Sequence, residues 1–130
     1  MADDAVKRVL VVDDATLVRR YYRSALERAG FEVAEAFNGV EALEHLLATR
    51  FDLLVVDVNM PQMDGLSFLQ TLRSKSLPLS STPALVTSSE SAPQRIAAAS
   101  VAGANFYVVK PLHAEALVEY ASLFCGVRHG

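Results

Sequence analysis

Cysteine is nearly absent. Cys125 is the one thiol in 130 residues, so no internal disulfide can form, and a packed apolar side chain is its expected role. Long apolar runs are missing too: none approaches the roughly 18 residues of a membrane helix, which predicts no membrane insertion. Positive charge is not in excess. The net charge is −3 with acids and bases interspersed, so the basic footprint of a nucleic-acid-binding domain is lacking and no nucleic-acid partner is expected. Met1 to Arg8 is polar and acidic, without a basic stretch leading into an apolar one, so no secretory leader is expected and a cytoplasmic location follows. Linker-like sequence is confined to a short loop near Leu77 to Thr82. What remains is 52% hydrophobic and 21% charged, the balance of a soluble globular chain. Residues 1–130 are expected to form one domain with its core at about 7–125 and no output domain.

Two kinds of segment alternate along the chain. Val9 to Val12, Leu53 to Val56, Ala84 to Thr87 and Phe106 to Val109 are short, apolar and largely β-branched. Runs without polar alternation suit strands buried on both faces of a parallel sheet. Phe31 to Ala36 alternates more, as an edge strand does. Between them lie helical segments. Residues 15–29 end at Gly30, which tolerates the left-handed conformation after a helix. Asn38 with Glu41 reads as an N-cap and its reciprocal partner, opening a helix to about Thr49. Gly65 to Arg73 is a third. Ser91 with Gln94 repeats the capping pattern, with Pro93 in the first turn, for a helix to Gly103. His113 to Phe124 is the last, with Ala114, Leu117, Val118 and Ala121 facing a core. The pattern is (βα)5, and right-handed crossovers make it a doubly wound α/β fold with a five-stranded parallel sheet of order 2-1-3-4-5.

Ligands of such sheets bind beyond the carboxyl ends of the strands. Strand 1 ends in Asp13-Asp14, strand 3 in Asp57, strand 4 in Thr87-Ser88 and strand 5 in Lys110-Pro111. Each has a structural reading: Asp14 as a helix cap, Asp64-Gly65 as a turn, Thr87 as a hydroxyl bonded to backbone, Lys110 as part of a solvated turn. Three carboxylates at adjacent central strand ends repel one another, however, and need a cation or shifted pKa values to persist. Carboxylates with water suit a hard octahedral cation such as Mg²⁺, the lysine adds positive charge, and the hydroxyl adds a hydrogen bond. Together these are the electrostatic parts of a phosphoryl-transfer site.

The set Asp13-Asp14, Asp57, Thr87 and Lys110-Pro111 resembles the response-regulator receiver family of two-component signalling, over about residues 7–125. The segments from Asp57 to Gly65 and from Gly103 to Pro111 are most similar to CheY-type chemotaxis receivers. The resemblance implies a flavodoxin-like, CheY-like fold and an aspartyl phosphate formed on Asp57. The phosphoryl group would come from the phosphohistidine of a sensor histidine kinase or a histidine phosphotransfer protein. It implies Mg²⁺ (or Mn²⁺) held by Asp14, Asp57 and the backbone carbonyl of Asn59, with Asp13 acting mostly through water. Lys110, Thr87, Asn59 and the N–H of Ser88 would meet the phosphoryl oxygens, and Tyr107 would be an aromatic switch coupled to Thr87. The message would leave through helix 4, strand 5 and helix 5, from a monomer or weak dimer. Such a domain is a phosphoacceptor rather than an enzyme, although it assists its own phosphorylation and autodephosphorylation.

Two segments depart from the family pattern. The last helix carries no lysine; its exposed candidates are Ala116, Glu119, Tyr120 and Leu123, and helix 4 is rich in small residues, so the output face reads as apolar. The segment Thr87 to Ser91 is serine-rich, and whether Ser89 or Glu90 faces the site is open. A chemotaxis role and a relay or phosphate-sink role, passing phosphate to a histidine phosphotransfer protein, both fit. A phosphohydrolase with an aspartate nucleophile would carry Asp-x-Asp on strand 1, whereas Asp13 and Asp14 are adjacent. A flavodoxin-like cofactor module would present hydroxyls and glycine there instead of acid. A receiver that had become a constitutive adaptor would not need all the reactive positions filled.

Overall fold

Five short strand-forming runs and five amphipathic ones alternate, and each becomes the element its period demands. The computed structural model describes residues 5–60 and 63–127. The strands are β1 (Arg8–Val12), β2 (Glu32–Ala36), β3 (Leu53–Asp57), β4 (Ala84–Ser88) and β5 (Phe106–Val109). The helices are α1 (Thr16–Arg28), α2 (Gly39–Ala48), α3 (Gly65–Arg73), α4 (Pro93–Ala102) and α5 (Ala114–Cys125). All neighbouring strands run parallel, in the expected order β2-β1-β3-β4-β5.

β3 and β4 are buried from end to end, which explains their lack of polar alternation. The outermost β2 alternates because only part of it is covered. Leu10 and Val12 of β1, with Val56 and Val86, pack beneath α2, α3 and α4 around Leu46, Phe68, Leu69 and Leu72. Val9, Val11, Val55 and Leu85 pack on the other face beneath α1 and α5, around Leu26 and Leu117. Each such fully buried side chain stabilises the fold by about 1.5–3 kcal/mol relative to exposure. Cys125 takes the expected packing role in this second cluster, where burial pushes its thiol up to about 11.

Local signals decide the helix ends, and one expectation is corrected. Gly30 has φ 97°, as the end of α1 requires. Asn38 caps α2 by accepting from the Glu41 N–H, while the Glu41 carboxylate reaches back to the Phe37 N–H. Ser91 does not cap α4. Pro93 occupies the first helical position and holds Ala92 extended at φ −61° and ψ 134°, so Ala92 is the cap residue and Ser91 lies one position too far out. Arg73, which no sequence signal singled out, ends α3 by donating to the carbonyls of Ser80, Thr82 and Gly103 and to Asn105 Oδ1. It ties the starts of β4 and β5 together.

Gly65 begins α3 directly beneath the end of β3. A methyl group there would overlap the carbonyl oxygen of Asp57 and come within 3.0 Å of Val58 Cα, both of them backbone and unable to yield. Gly65→Ala is therefore expected to destabilise the protein by about 2 kcal/mol in urea unfolding. An unchanged midpoint would show that the turn has slack.

Candidate functional site

Register alone brings the candidate site residues together. Val12 pairs with Val56, so Asp13, the next residue of the chain, stands beside Asp57. Asp57 pairs with Thr87, and Ser88 pairs with Val109 just before Lys110. Parallel partners point to the same face, so Asp57 and Thr87 share one side at the carboxyl edge.

Asp13, Asp57, Thr87 and Ser88 are all buried, at 2%, 4%, 0% and 1% exposure, whereas Asp14 is exposed. Carboxylate oxygens of Asp13, Asp14 and Asp57 lie within 4.8 Å of one another. The Lys110 ammonium is 3.0 Å from Asp57 Oδ1 and 3.9 Å from Asp13 Oδ2. It supplies charge there without hydrogen-bond alignment, because Asp57 Oδ1 and Asp13 Oδ2 have no hydrogen-bond partner. Thr87 Oγ1 is also buried without one. Bare, buried oxygens are costly unless something binds them. The donors are hard carboxylate oxygens in a site open on the Asp14 side, which fits a divalent cation of the Mg²⁺ class.

The electrostatics match this geometry. Burial pushes the Asp13 carboxyl above its ordinary value, opposed by the 2.9 Å hydrogen bond from the Ala15 N–H, and the charge of Asp57 pushes it further. The neighbouring Tyr22 phenol, on α1, is raised to about 12 by burial and then by the charges of Asp13 and Asp57. No sequence signal pointed to Tyr22. Asp14 does not cap α1, whose cap position is Ala15, with no side-chain bond. That leaves the Asp14 carboxylate to the acid cluster.

Asn59 is exposed on the loop after β3; Pro61 and Gln62 of the same segment lie outside the described residues. Tyr107, on the opposite face of the sheet, packs against the first core cluster, and its hydroxyl donates to the Glu90 carbonyl at 2.7 Å. Glu90 is held elsewhere too: its N–H donates to Ser88 Oγ at 3.1 Å and its carboxylate pairs with Arg95 at 2.9 Å. Ser89 and Glu90 are both exposed, and the Glu90 side chain is turned to α4. Of the surface expected on α5, Glu119 and Leu123 are exposed, but Ala116 and Tyr120 are half-buried. Tyr120 stacks on Phe106 with ring centres 5.0 Å apart, so β5 covers it.

A groove of about 530 Å³ lined by Leu17, Val18, Tyr21, Lys110, Pro111 and His113 opens beside the acids. Another cavity, of about 430 Å³ and lined by Phe51, Leu77 and Pro83 among others, lies at the amino ends of β3 and β4 and shares no residue with the acid site.

Known proteins are similar to this chain. The response regulator receiver domain model matches residues 9–122. The chain is 40% identical over 113 residues to the chemotaxis protein CheY of Pseudomonas aeruginosa, covering 86% of this chain and 90% of that one. It is 41% identical over 104 residues to the transcriptional regulatory protein PrrA of Mycobacterium leprae, covering 80% of this chain but only 43% of that longer protein. The structure of the chemotaxis response regulator CheY4 of Vibrio cholerae superposes with a TM-score of 0.86 at 34% identity, covering 92% of this chain and 99% of that one. The family match, spanning the sheet and every strand end that bears a reactive residue, identifies the chain as a member of the response regulator receiver domain family, a CheY-like signalling domain of two-component systems.

Proposed function

We propose that this chain is a response regulator that accepts a phosphoryl group on Asp57 in the presence of Mg²⁺, or Mn²⁺, and signals through protein contacts. The observation that carries this is Asp57 Oδ1: buried, without a hydrogen bond, and 3.0 Å from the Lys110 ammonium. A buried carboxylate oxygen beside an ammonium group and left free of hydrogen-bond donors is a ready nucleophile. Asp14, Asp57 and the Asn59 carbonyl would hold the cation, with Asp13 reaching it through water. Bound there, the metal supplies Lewis-acid charge neutralisation at the transferring phosphoryl group.

The chain's own residues supply the rest. An Asp57 oxygen attacks phosphorus as the P–N bond of a donor phosphohistidine breaks, and the electron pair leaves on the imidazole. Lys110 follows the new negative charge from carboxylate to phosphoryl oxygen. Thr87 Oγ1, unpartnered in the structure, gains a phosphoryl acceptor, and the Ser88 N–H binds another oxygen. The groove between α1 and Pro111 gives a sensor kinase or histidine phosphotransfer protein an apolar approach beside Lys110.

Tyr107 lies one residue before Val108, the strand partner of Thr87, and ties β5 to the loop before α4 through Glu90, so a shift of Thr87 is felt there. This biases two packings of the α4, β5 and α5 face. Ile96, Val101, Phe106, Val109 and Leu123 are exposed on these elements, which favours an apolar protein target. The likeness to CheY and CheY4 supports a cytoplasmic chemotaxis role. The lysine-free α5 keeps the relay or phosphate-sink role as the second reading.

A small-molecule phosphodonor with Mg²⁺ is expected to add one phosphoryl group per chain by intact mass, and a chelator to prevent it. Steady multiple turnover of phosphomonoesters would instead indicate a phosphohydrolase, and no uptake at all would sink the reading. Affinity capture with and without a phosphoryl mimic then separates a motor-type target from a histidine phosphotransfer protein.

A further inference from the structure

Every polar atom of Asp13 except one is held. Its N–H donates to the Ala36 carbonyl at 3.0 Å, and its Oδ1 accepts from the Ala15 N–H at 2.9 Å. Its carbonyl oxygen accepts from Arg19 Nη1 at 2.7 Å, the shortest of the three. Only Oδ2 is left free, and it faces Lys110 at 3.9 Å. Arg19 is itself clamped. Its Nε donates to Glu35 Oε1 at 3.0 Å and its Nη2 to Thr16 Oγ1 at 3.3 Å. The other Glu35 oxygen accepts from Arg23 Nη1 at 2.9 Å.

The Arg19 and Glu35 side chains are only 14% and 22% exposed, so this pair is better shielded from water than a surface ion pair. Burial works against the Glu35 charge, but the hydrogen bonds from Arg23 and Arg19 outweigh it and hold the carboxyl below its ordinary value. Glu35 is therefore a fixed anion that aims the Arg19 fork from β2 across α1 onto the end of β1.

We propose that Arg19 is a positioning residue for the acid site: it pins the Asp13 carbonyl and so holds the Asp13-Asp14 turn in the arrangement that binds the divalent cation. The inference rests on reading the acid cluster as a cation site. Two effects compete. A guanidinium near three carboxylates opposes a cation by its charge, while its hydrogen bond pre-organises the ligands. Glu35 at 3.0 Å cancels most of that charge, so the positioning effect wins and loss of the fork weakens binding.

The test uses the full chain and Mn²⁺ alone, with free ion counted by electron paramagnetic resonance. Arg19→Lys keeps the charge and loses the planar fork, and is expected to weaken Mn²⁺ binding about ten-fold. Arg23→Lys, which alters the same Glu35 pair without touching Asp13, is expected to change it little. Glu35→Gln, which leaves Arg19 an acceptor but no counter-charge, is expected to fall between. In the metal-free protein, the Ala15 amide should exchange with solvent faster in Arg19→Lys, since its partner Asp13 has loosened. Unchanged Mn²⁺ affinity in both Arg19→Lys and Glu35→Gln overturns the proposal, and so does a loss in Arg23→Lys equal to that in Arg19→Lys. No Mn²⁺ binding by the unmodified protein would defeat the cation-site reading itself, a different outcome from intact binding that ignores Arg19.

Discussion

Lys110→Met is expected to slow phosphoryl uptake by about 10²–10³-fold, the usual effect of removing a group aimed at charge that develops in the transition state. It is also expected to destabilise the metal-free protein near neutral pH by about 2–3 kcal/mol. Breaking a buried ion pair typically costs about 3–5 kcal/mol because the remaining charge is stranded. Asp57 and Asp13 are both almost fully buried and share this one ammonium, at 3.0 and 3.9 Å. The Lys110 side chain is 31% exposed, so water already screens part of the interaction and the cost falls at or below the lower end of that range. Methionine keeps most of the stem that lines the groove beside Tyr22, so packing changes little. The two losses should separate on adding Mg²⁺: urea unfolding should recover most of the stability, because the cation replaces the missing charge, while the time course of uptake by intact mass should stay slow. Uptake at the original rate would mean that Lys110 balances charge only in the resting state.

The sheet order and the gathering of polar residues at the strand ends were legible because both follow from short-range pattern. A buried parallel strand must be apolar throughout, so the one polar residue at its end stands out. Asp57 after Leu53 to Val56 and Thr87 after Ala84 to Val86 are such residues. Parallel register then sets Asp13, Asp57 and Thr87 side by side without further information. Arg19 and Glu35 were not legible. Nothing in their spacing shows that α1 leans on β2, and an arginine on an amphipathic helix usually faces water. The bond of Arg19 to a main-chain carbonyl leaves no trace in side-chain pattern at all. The Ser91 cap misled because Ser-x-x-Gln is a good local signal that a stronger one, Pro93, displaced by one position. Tyr120 reads as exposed in the sequence because helical period alone does not reveal that Phe106 on the neighbouring strand leans over it.

The crowding of acids on which the proposed phosphoryl transfer rests is also a source of instability, and Asp57→Asn separates the two. This variant is expected to end phosphoryl uptake altogether, because an amide oxygen is not an anionic nucleophile and no other described carboxylate pairs with Lys110 at 3.0 Å. It is also expected to stabilise the metal-free protein near neutral pH, by about 1 kcal/mol. The reason lies in Asp13. Burial raises its pKa first, and the Asp57 charge raises it further. A carboxyl with a raised pKa in the folded state holds its proton longer there than in the unfolded chain, so stability falls as pH rises from the ordinary value near 3.8 towards the raised one. Removing the Asp57 charge removes one cause of that rise and frees Lys110 to serve Asp13 alone. In urea unfolding under chelator, the decline in stability above about pH 4 should therefore be shallower in Asp57→Asn than in the parent, and the two should converge at lower pH, where both Asp13 carboxyls are protonated. A parallel pH dependence in the two proteins would show that Asp13 is shielded from Asp57, and that the acids at the ends of β1 and β3 do not act as one electrostatic unit.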